Sequence, residues 1–532
     1  MDKVSAIRLT HDRIIIRFIR DSAKGKVISA GLLSKAQEDR FFPVQIQEGG
    51  KGAGLRYELT LRLPEKGLPE GDWELWLFPS GIETDDKVEP LLLDSGFRGR
   101  LLLYCPSLKM RNGMLLFPMG GEGTRLVLRS RPVSAYDGMG VWWKERLSFC
   151  LCRLLKGLSV SPGWWVIYEK FCAQAQDNGY AFFCYCMDQL PSSERKKIFF
   201  ILDRNAPAYE EVKRQYKGQI IPFMSFRHMC LMMLCRVYVA SETRYHGYAW
   251  QSKPNPVFRD IRRGNHPILF LQHGVTAFKK DDGIFGRNGA EPVTWFTVTS
   301  LQEKQIVMEH FGYSKEEVPL LGFARWDRLY DWTNRQDPFI LVMPTWRQWL
   351  EGTDESLFLQ SQYYREYAGL LKDPRLEGIL REKDFRLIFC LHPRFAARMK
   401  LFSSENSRIT LLPYGSARLD QLAMACAFFV TDYSSLSWDL LYLEKPVIFY
   451  PFDLEYYLRK TGSYVDLNSE LFGRQCRTRD QLLDVMTENM EQFLSLGQGG
   501  KKAPEDPVRS WFAFHDRDNS HRIYEFLKSQ GC

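Results

Sequence analysis

In the first quarter of the chain, apolar and polar side chains alternate in short runs: DRIIIRFIR (12–20), DWELWLF (72–78), RLLLYC (100–105) and TRLVLRS (124–130), separated by turns such as PEKGLPEGD. A period of two puts every second residue on one face of a half-buried strand, so the pattern predicts a small antiparallel β domain over residues 1–135. Near Trp142 the period changes. In WWKERLSFCLCRLLKGL (142–158), Leu147, Cys150, Leu151, Leu154 and Leu155 recur at helical spacing, with Lys144, Arg146, Arg153 and Lys156 available to the other face. This predicts an amphipathic helix packed on its own domain, with an anionic membrane surface as the alternative partner.

From about residue 160 the texture is continuous rather than alternating. KKIFFILD (196–203), CRVYVASE (235–242), HPILFLQHG (266–274), PFILVMPTW (338–346), FRLIFCLHP (385–393), CAFFVTDYSS (426–435) and KPVIFYPF (445–452) are apolar runs separated by helix-like segments. Strands buried on both faces read this way, which predicts parallel sheets covered by helices. The polar stretch Asp331–Asp337 divides the runs into two series. The fold class is therefore α/β, two facing Rossmann-like domains at 136–330 and 331–532, the second carrying a C-terminal helix, behind the β-rich segment.

In such sheets ligands bind beyond the carboxyl ends of the strands. Those positions hold Ser241 and Glu242 after VYVA, His273 after LFLQ, Thr345, Trp346 and Arg347 after ILVMP, His392 after LIFCL, and Asp432, Tyr433, Ser434 and Ser435 after AFFVT. A lone histidine in a loop is more often structural than catalytic. Two, with an arginine and a Ser-Ser turn, spread over both halves, shift the balance towards chemistry. In FVTDYSSLSWDLLYLEKPVIFYPFDLEYY (429–457), Ser434 or Ser435 is positioned to cap a helix through LSWDLLYLEK, with Leu436, Leu440 and Leu443 on its buried face and Pro446 ending it. Hydroxyls and free backbone N–H groups at a helix start suit a phosphate. Asp439 follows one turn later, placed to meet a hydroxyl or to solvate the helix.

Composition narrows the classes. A net charge of +8 over 532 residues is modest and unlike a dedicated nucleic-acid binder, while 45% hydrophobic and 14% aromatic residues describe a folded protein. Neither GxGxxG nor GxxxxGK[ST] occurs, the DxD triplet Asp516-Arg517-Asp518 follows no apolar strand, and the twelve cysteines form no zinc-ribbon spacing. No metal or cofactor is expected. With no secretory signal pattern at the start and no spanning apolar run, the expected place is the cytoplasm, with peripheral contact at the inner membrane face.

The stretch 429–457 resembles the CDP-glycerol glycerophosphotransferase family of teichoic-acid-type primases and polymerases, which carry TDYSS followed by KP-(I/V)-IFY-x-x-D. AQDNGYAFFCYC (175–186), SETRYHGY (241–248), FLQHGVTAFKK (270–280), LGFARWDRL (321–329), MPTWR (343–347) and LHPRF (391–395) occur in the family's order, so the resemblance spans about 160–470. It implies a GT-B architecture and transfer of an alditol phosphate from a CDP-alditol to a hydroxyl of a lipid-linked polymer, with release of CMP. On that reading His273 and His392 are catalytic. Arg347, Asp432, Ser434, Ser435, Arg325 and Asp439 hold the donor, and Ser241, His246, Thr276, Lys279 and Lys280 lie on the acceptor side. Where many members continue HG as HGTPLK, this chain has HGVTAFKK. Two other readings compete: a GT-B glycosyltransferase or epimerase using a nucleotide sugar, and a non-catalytic scaffold of a surface-polymer assembly.

Overall fold

The computed structural model describes residues 2–21, 24, 26–34, 41–49, 55–78, 88–158, 162–413, 415–495 and 511–532. The chain forms two compact units. One contains Met1–Trp164, Ile221–Cys235 and Tyr245–His266, and the other Trp165–Ile220, Arg236–Arg244 and Pro267–Cys532.

The first unit is built on an antiparallel sheet with the hairpin Lys3–Leu9/Arg13–Arg20 at one edge and Leu108–Lys109 at the other. Its register follows the alternation: Ile14, Ile16 and Phe18 face the core and pair with Leu61, Leu59 and Tyr57. RLLLYC departs from expectation. Its leucines close a helix, Ser95–Leu103, because Asp94 caps the turn by accepting from the Phe97 backbone N–H at 2.8 Å and because Phe97 and Leu101, one turn apart, reach the core.

The amphipathic segment is a helix, Met139–Gly157, but its orientation overturns the expected packing. The buried stripe is Glu145, Ser148 and Cys152, whereas Leu147, Leu151 and Leu154 are 57%, 40% and 63% exposed. Glu145 decides this. Its carboxylate accepts from the Tyr248 hydroxyl at 3.0 Å and from Arg146 at 2.7 Å, which fixes the polar stripe inward against helix Phe226–Leu234 and turns the leucines out.

The second unit holds two parallel sheets. In one, Ile198–Leu202, Trp165–Tyr168, Val237–Ala240, Ile268–Phe270 and Trp295–Phe296 lie side by side in that order. In the other the order is Ile409–Leu412, Arg386–Cys390, Phe339–Val342, Phe428–Thr431, Val447–Phe449 and Arg474–Gln475. Each sheet reverses its winding direction beside its first strand. The crevices therefore open beyond Tyr168 and Ala240 in one half, and beyond Val342 and Thr431 in the other.

The polar connector and the C-terminal helix are each fixed by specific contacts. Lys445, buried, reaches back to the polar connector through Asp331 at 3.0 Å and the Thr333 hydroxyl at 2.8 Å, and donates to the Cys426 carbonyl at 2.8 Å. The C-terminal helix Asn519–Ser529, expected with the second half, instead packs Ile523 and Leu527 into the core of the first. Asp327 fixes its start, accepting from the Asn519 and Ser520 backbone N–H groups at 2.9 and 2.7 Å.

Candidate functional site

The loop after Ile268–Phe270 turns sharply. Gln272 adopts a positive φ of 60°, and its side chain is held by the Thr276 hydroxyl at 2.7 Å and by Glu303 at 3.0 Å. Glu303 is fully buried and also accepts from the Thr276 and Thr299 backbone N–H groups. Asn178 donates to the Leu271 and Gln272 carbonyls from the opposite side at 3.2 and 2.9 Å. This scaffold leaves one side chain free at the crest: His273, half-exposed, with Nδ1 3.9 Å from Glu242.

Gly274 explains why the histidine is followed by glycine. A Cβ there would stand 2.8 Å from both Cβ and Oγ of Ser435, so the backbone of the HG turn lies directly against the Ser435 side chain of the opposite sheet's Ser-Ser turn. Beyond it, Phe278 enters the second half and packs against Trp438 at 4.9 Å and Phe472 at 6.1 Å, while Tyr464 N–H and Ser463 Oγ bond the Ala277 carbonyl. The apolar run VTAF is thus an anchor between the halves.

Around His273 the charges alternate. Glu242, almost fully buried, meets Lys170 at 3.4 Å. Asp281 is pushed up to about 6 by burial, against the pull of His273 and Lys279. From the second half comes His392, which stacks on Trp346 at 5.8 Å. Its pKa is pushed down to about 4, chiefly by burial and then by the nearby cations Arg394, Lys170 and Lys279. The Arg394 backbone N–H donates to its Nδ1 at 3.2 Å, so the neutral ring carries its proton on Nε2. Lys170 and Lys279 belong to the first half, and their influence on His392 places it within electrostatic reach of the His273 loop.

The Ser-Ser turn differs in detail from the expected cap. The helix is Leu436–Tyr442, with Ser435 in helical conformation and making no capping bond, while Ser434 Oγ accepts weakly from Leu436 N–H at 3.3 Å. Glu444, at a φ of 57°, ends it before Pro446. Ser435 is left exposed, with its hydroxyl beside Gly274, and Ser434 is half-buried.

Several predicted residues are spent elsewhere. Arg347 is wholly buried: it grips Asp453 through Nε and Nη2 at 2.8 and 2.9 Å, reaches Asp432 at 2.8 Å and donates to the Thr345 carbonyl at 2.7 Å. Asp432, equally buried, also accepts from the Thr345 and Tyr433 backbone N–H groups. The donor-binding roles expected for this pair give way to an internal network that holds the PTWR and TDYSS loops together. Arg325 is a clasp between the halves, 3.2 Å from Asp177 and 2.8 Å from Asp439, and Asp439 also accepts from the Trp326 indole at 2.5 Å. Asp439 is therefore neither solvating nor free for a ligand. Ser241 accepts from Gly179 N–H at 2.9 Å, and Thr276 pins the loop. Lys279 and Lys280 are exposed, the latter with its stem against Gly462, and His246 lies in the other compact unit. Lys170 and Asp281 are not among the strand-end residues read from the sequence, and Glu242 is named there without a role. Glu242 had the same signal as Ser241, a polar residue following a buried strand. Among the described residues no group of three His, Cys, Asp or Glu side chains is arranged to hold a metal.

Comparison with known proteins agrees with this fold. The fold is similar to the solved wall teichoic acid polymerase TagF, with a TM-score of 0.51 at 14% identity over 74% of this chain and 98% of that one. This is an α/β, GT-B-like fold. The Bacillus subtilis (strain 168) minor teichoic acid biosynthesis protein GgaB is 26% identical over 369 residues, 66% of this chain and 38% of GgaB. The Staphylococcus aureus ribitol-phosphate polymerase TarK is 24% identical over 44% of this chain and 48% of its own length. For the B. subtilis glycerol-phosphate primase the values are 25%, 42% and 55%. The matches thus span between about two fifths and just over half of these relatives' own lengths. The family described as CDP-glycerol:poly(glycerophosphate) glycerophosphotransferase matches residues 164–529, which include both parallel sheets and every loop of the site, and the chain belongs to that family.

Proposed function

We propose that the chain transfers glycerol phosphate, or another alditol phosphate, from a CDP-alditol to a hydroxyl of a lipid-linked teichoic-acid-like or capsular polymer, releasing CMP. The observation that carries this reading is the close approach of the HG turn to the Ser-Ser turn, with His273 and His392 supplied from opposite sheets. Family membership and the teichoic acid primases and polymerases among the relatives support it.

The acceptor oxygen attacks the phosphorus that bears the alditol, the bond to the CMP oxygen breaks, and CMP leaves with the electron pair. With Nδ1 turned towards Glu242, His273 offers Nε2 to take the hydroxyl proton. His392, neutral near pH 7, contributes an Nε2–H donor rather than a charge. The Ser434 and Ser435 hydroxyls add donors, and Lys170 and Lys279 supply the positive field that charge on the leaving phosphate requires. In this arrangement the 331–532 half is the donor side and the first half the acceptor side.

The expected working place is the cytoplasmic face of a membrane. No helix among the described residues is long and apolar enough to cross one. Helix Met139–Gly157 instead presents its exposed leucines beside Lys144 and Arg153, a combination that suits an anionic lipid surface.

The test is CMP release by the purified protein given CDP-glycerol or CDP-ribitol and a membrane fraction containing lipid-linked acceptor, with His273→Ala alongside. Release that needs both the acceptor and His273 supports the proposal and identifies the alditol. Absence of release from either donor by folded protein refutes it and favours a nucleotide-sugar enzyme or a scaffold.

A further inference from the structure

A cavity of about 560 Å³ opens within the first compact unit, away from the family-matched residues 164–529 in part and walled by helix Ser95–Leu103 and helix Pro256–Arg262. Arg98, Arg129, Arg259, Arg262 and Arg263 line it, and among the described residues no aspartate or glutamate does. Among the described residues only Arg129 is neutralised in place, by a two-bond pairing with Asp72 at 2.6 Å. Arg98, Arg259, Arg262 and Arg263 make no ion pair with a carboxylate among the described residues.

The unpaired arginines are positioned rather than loose. The Arg98 stem lies over Gly120, where a Cβ would come within 3.5 Å of its Cδ. The Arg262 guanidinium rests over the rings of Tyr245 and Phe258, 5.5 and 5.8 Å from their centres. Arg259 is held below the ordinary guanidinium range by burial and by the neighbouring cations Arg263 and Arg153, with Asp260 opposing. Asp260 itself is engaged by Lys156 at 3.1 Å. A concave wall of guanidinium groups with few counter-charges favours an anionic guest, and the planar fork of arginine matches two oxygens of a phosphate.

We propose that this cavity binds a linear polyphosphodiester, seating successive phosphates of the polymer chain. Its concavity favours a chain that enters over a flat lipid headgroup layer. The identity of the polymer as the alditol-phosphate product rests on the proposed function; the phosphodiester chemistry rests on the arginines alone.

The experiment measures binding of a fluorescent glycerol-phosphate oligomer of about ten units to the full chain by anisotropy, at several salt concentrations. The comparison is with Arg98→Gln/Arg262→Gln/Arg263→Gln, three exposed positions. Wild-type affinity should fall steeply with salt through counterion release, and the triple variant should bind at least about tenfold more weakly with a shallower salt dependence. CDP-glycerol binding should stay unchanged. Arg98→Gln alone, carrying one exposed change, should weaken the oligomer about threefold without moving the melting temperature, which separates local loss from misfolding. Unchanged oligomer binding in both variants overturns the inference. So does a variant that keeps the oligomer but loses phosphatidylglycerol vesicles, which would assign the cavity to lipid. If wild type releases no CMP from any CDP-alditol yet binds the oligomer through these arginines, the proposed function fails and this inference stands.

Discussion

Gly274→Ala isolates the contact on which the proposed site depends. The added methyl would begin 2.8 Å from Cβ and Oγ of Ser435, and ordinary van der Waals contact starts at 3.4 Å. Ser435 Cβ is fixed to its backbone, and the Gly274 loop is pinned by Gln272, Glu303 and the Phe278 anchor, so the two turns must separate. A misplacement of about 1 Å at a reacting centre commonly costs about a hundredfold in rate. Opening by the smaller distance needed here should lower kcat by about tenfold or more, equivalent to about 1.4 kcal/mol of barrier. Because Gly274 does not sit in the left-handed region, no backbone strain adds to this. The assay is CMP release with a melting curve on the same sample. Gly274→Ala/Ser435→Gly should regain most of the loss relative to Ser435→Gly alone, because the atoms in conflict are gone. Normal turnover in Gly274→Ala, or no recovery in the double variant, would refute the close approach as the organising feature of the site.

Arg347→Ala should unfold the second half rather than weaken donor binding selectively, because it strands two buried carboxylates; a loss of about 3–5 kcal/mol is expected in denaturant melts. A stable Arg347→Ala protein that fails only to bind CDP-glycerol would return the residue to the donor site. His392 has its pKa lowered in the folded chain, so the unfolded chain binds the extra proton between the ordinary value near ~6.5 and about 4. Stability from this group is full above that window and is lost as pH falls through it, and melting temperatures of wild type and His392→Gln measured from pH 8 to 4 should show the acid-dependent fall diminished in the variant. Replacing Leu147, Leu151 and Leu154 by glutamate should abolish sedimentation with phosphatidylglycerol vesicles while leaving the fold intact, since these side chains are already exposed; undiminished sedimentation would remove the helix from the membrane reading.

The apolar runs determined the parallel strands, because a strand buried on both faces must be apolar throughout, and the loop after each strand followed from chain order. His273, His392, Ser434 and Ser435 were legible for that reason. What those runs left undetermined was partnership. Arg347 reads as a free cation in MPTWR until the fold brings Asp453, 106 positions away, to its guanidinium. Glu242 and Lys170 gain meaning only when two strands that are neighbours in the sheet, but not in sequence, deliver them beside His273. In Met139–Gly157 the 3.6-residue period identified an apolar face but not which face was covered, and the buried Glu145–Tyr248 bond decided the opposite of the simple expectation. Local pattern encodes which residues prefer to leave water. Which charge meets which, and how closely Gly274 approaches Ser435, depend on contacts that close only when distant segments pack, and these the tertiary structure decided.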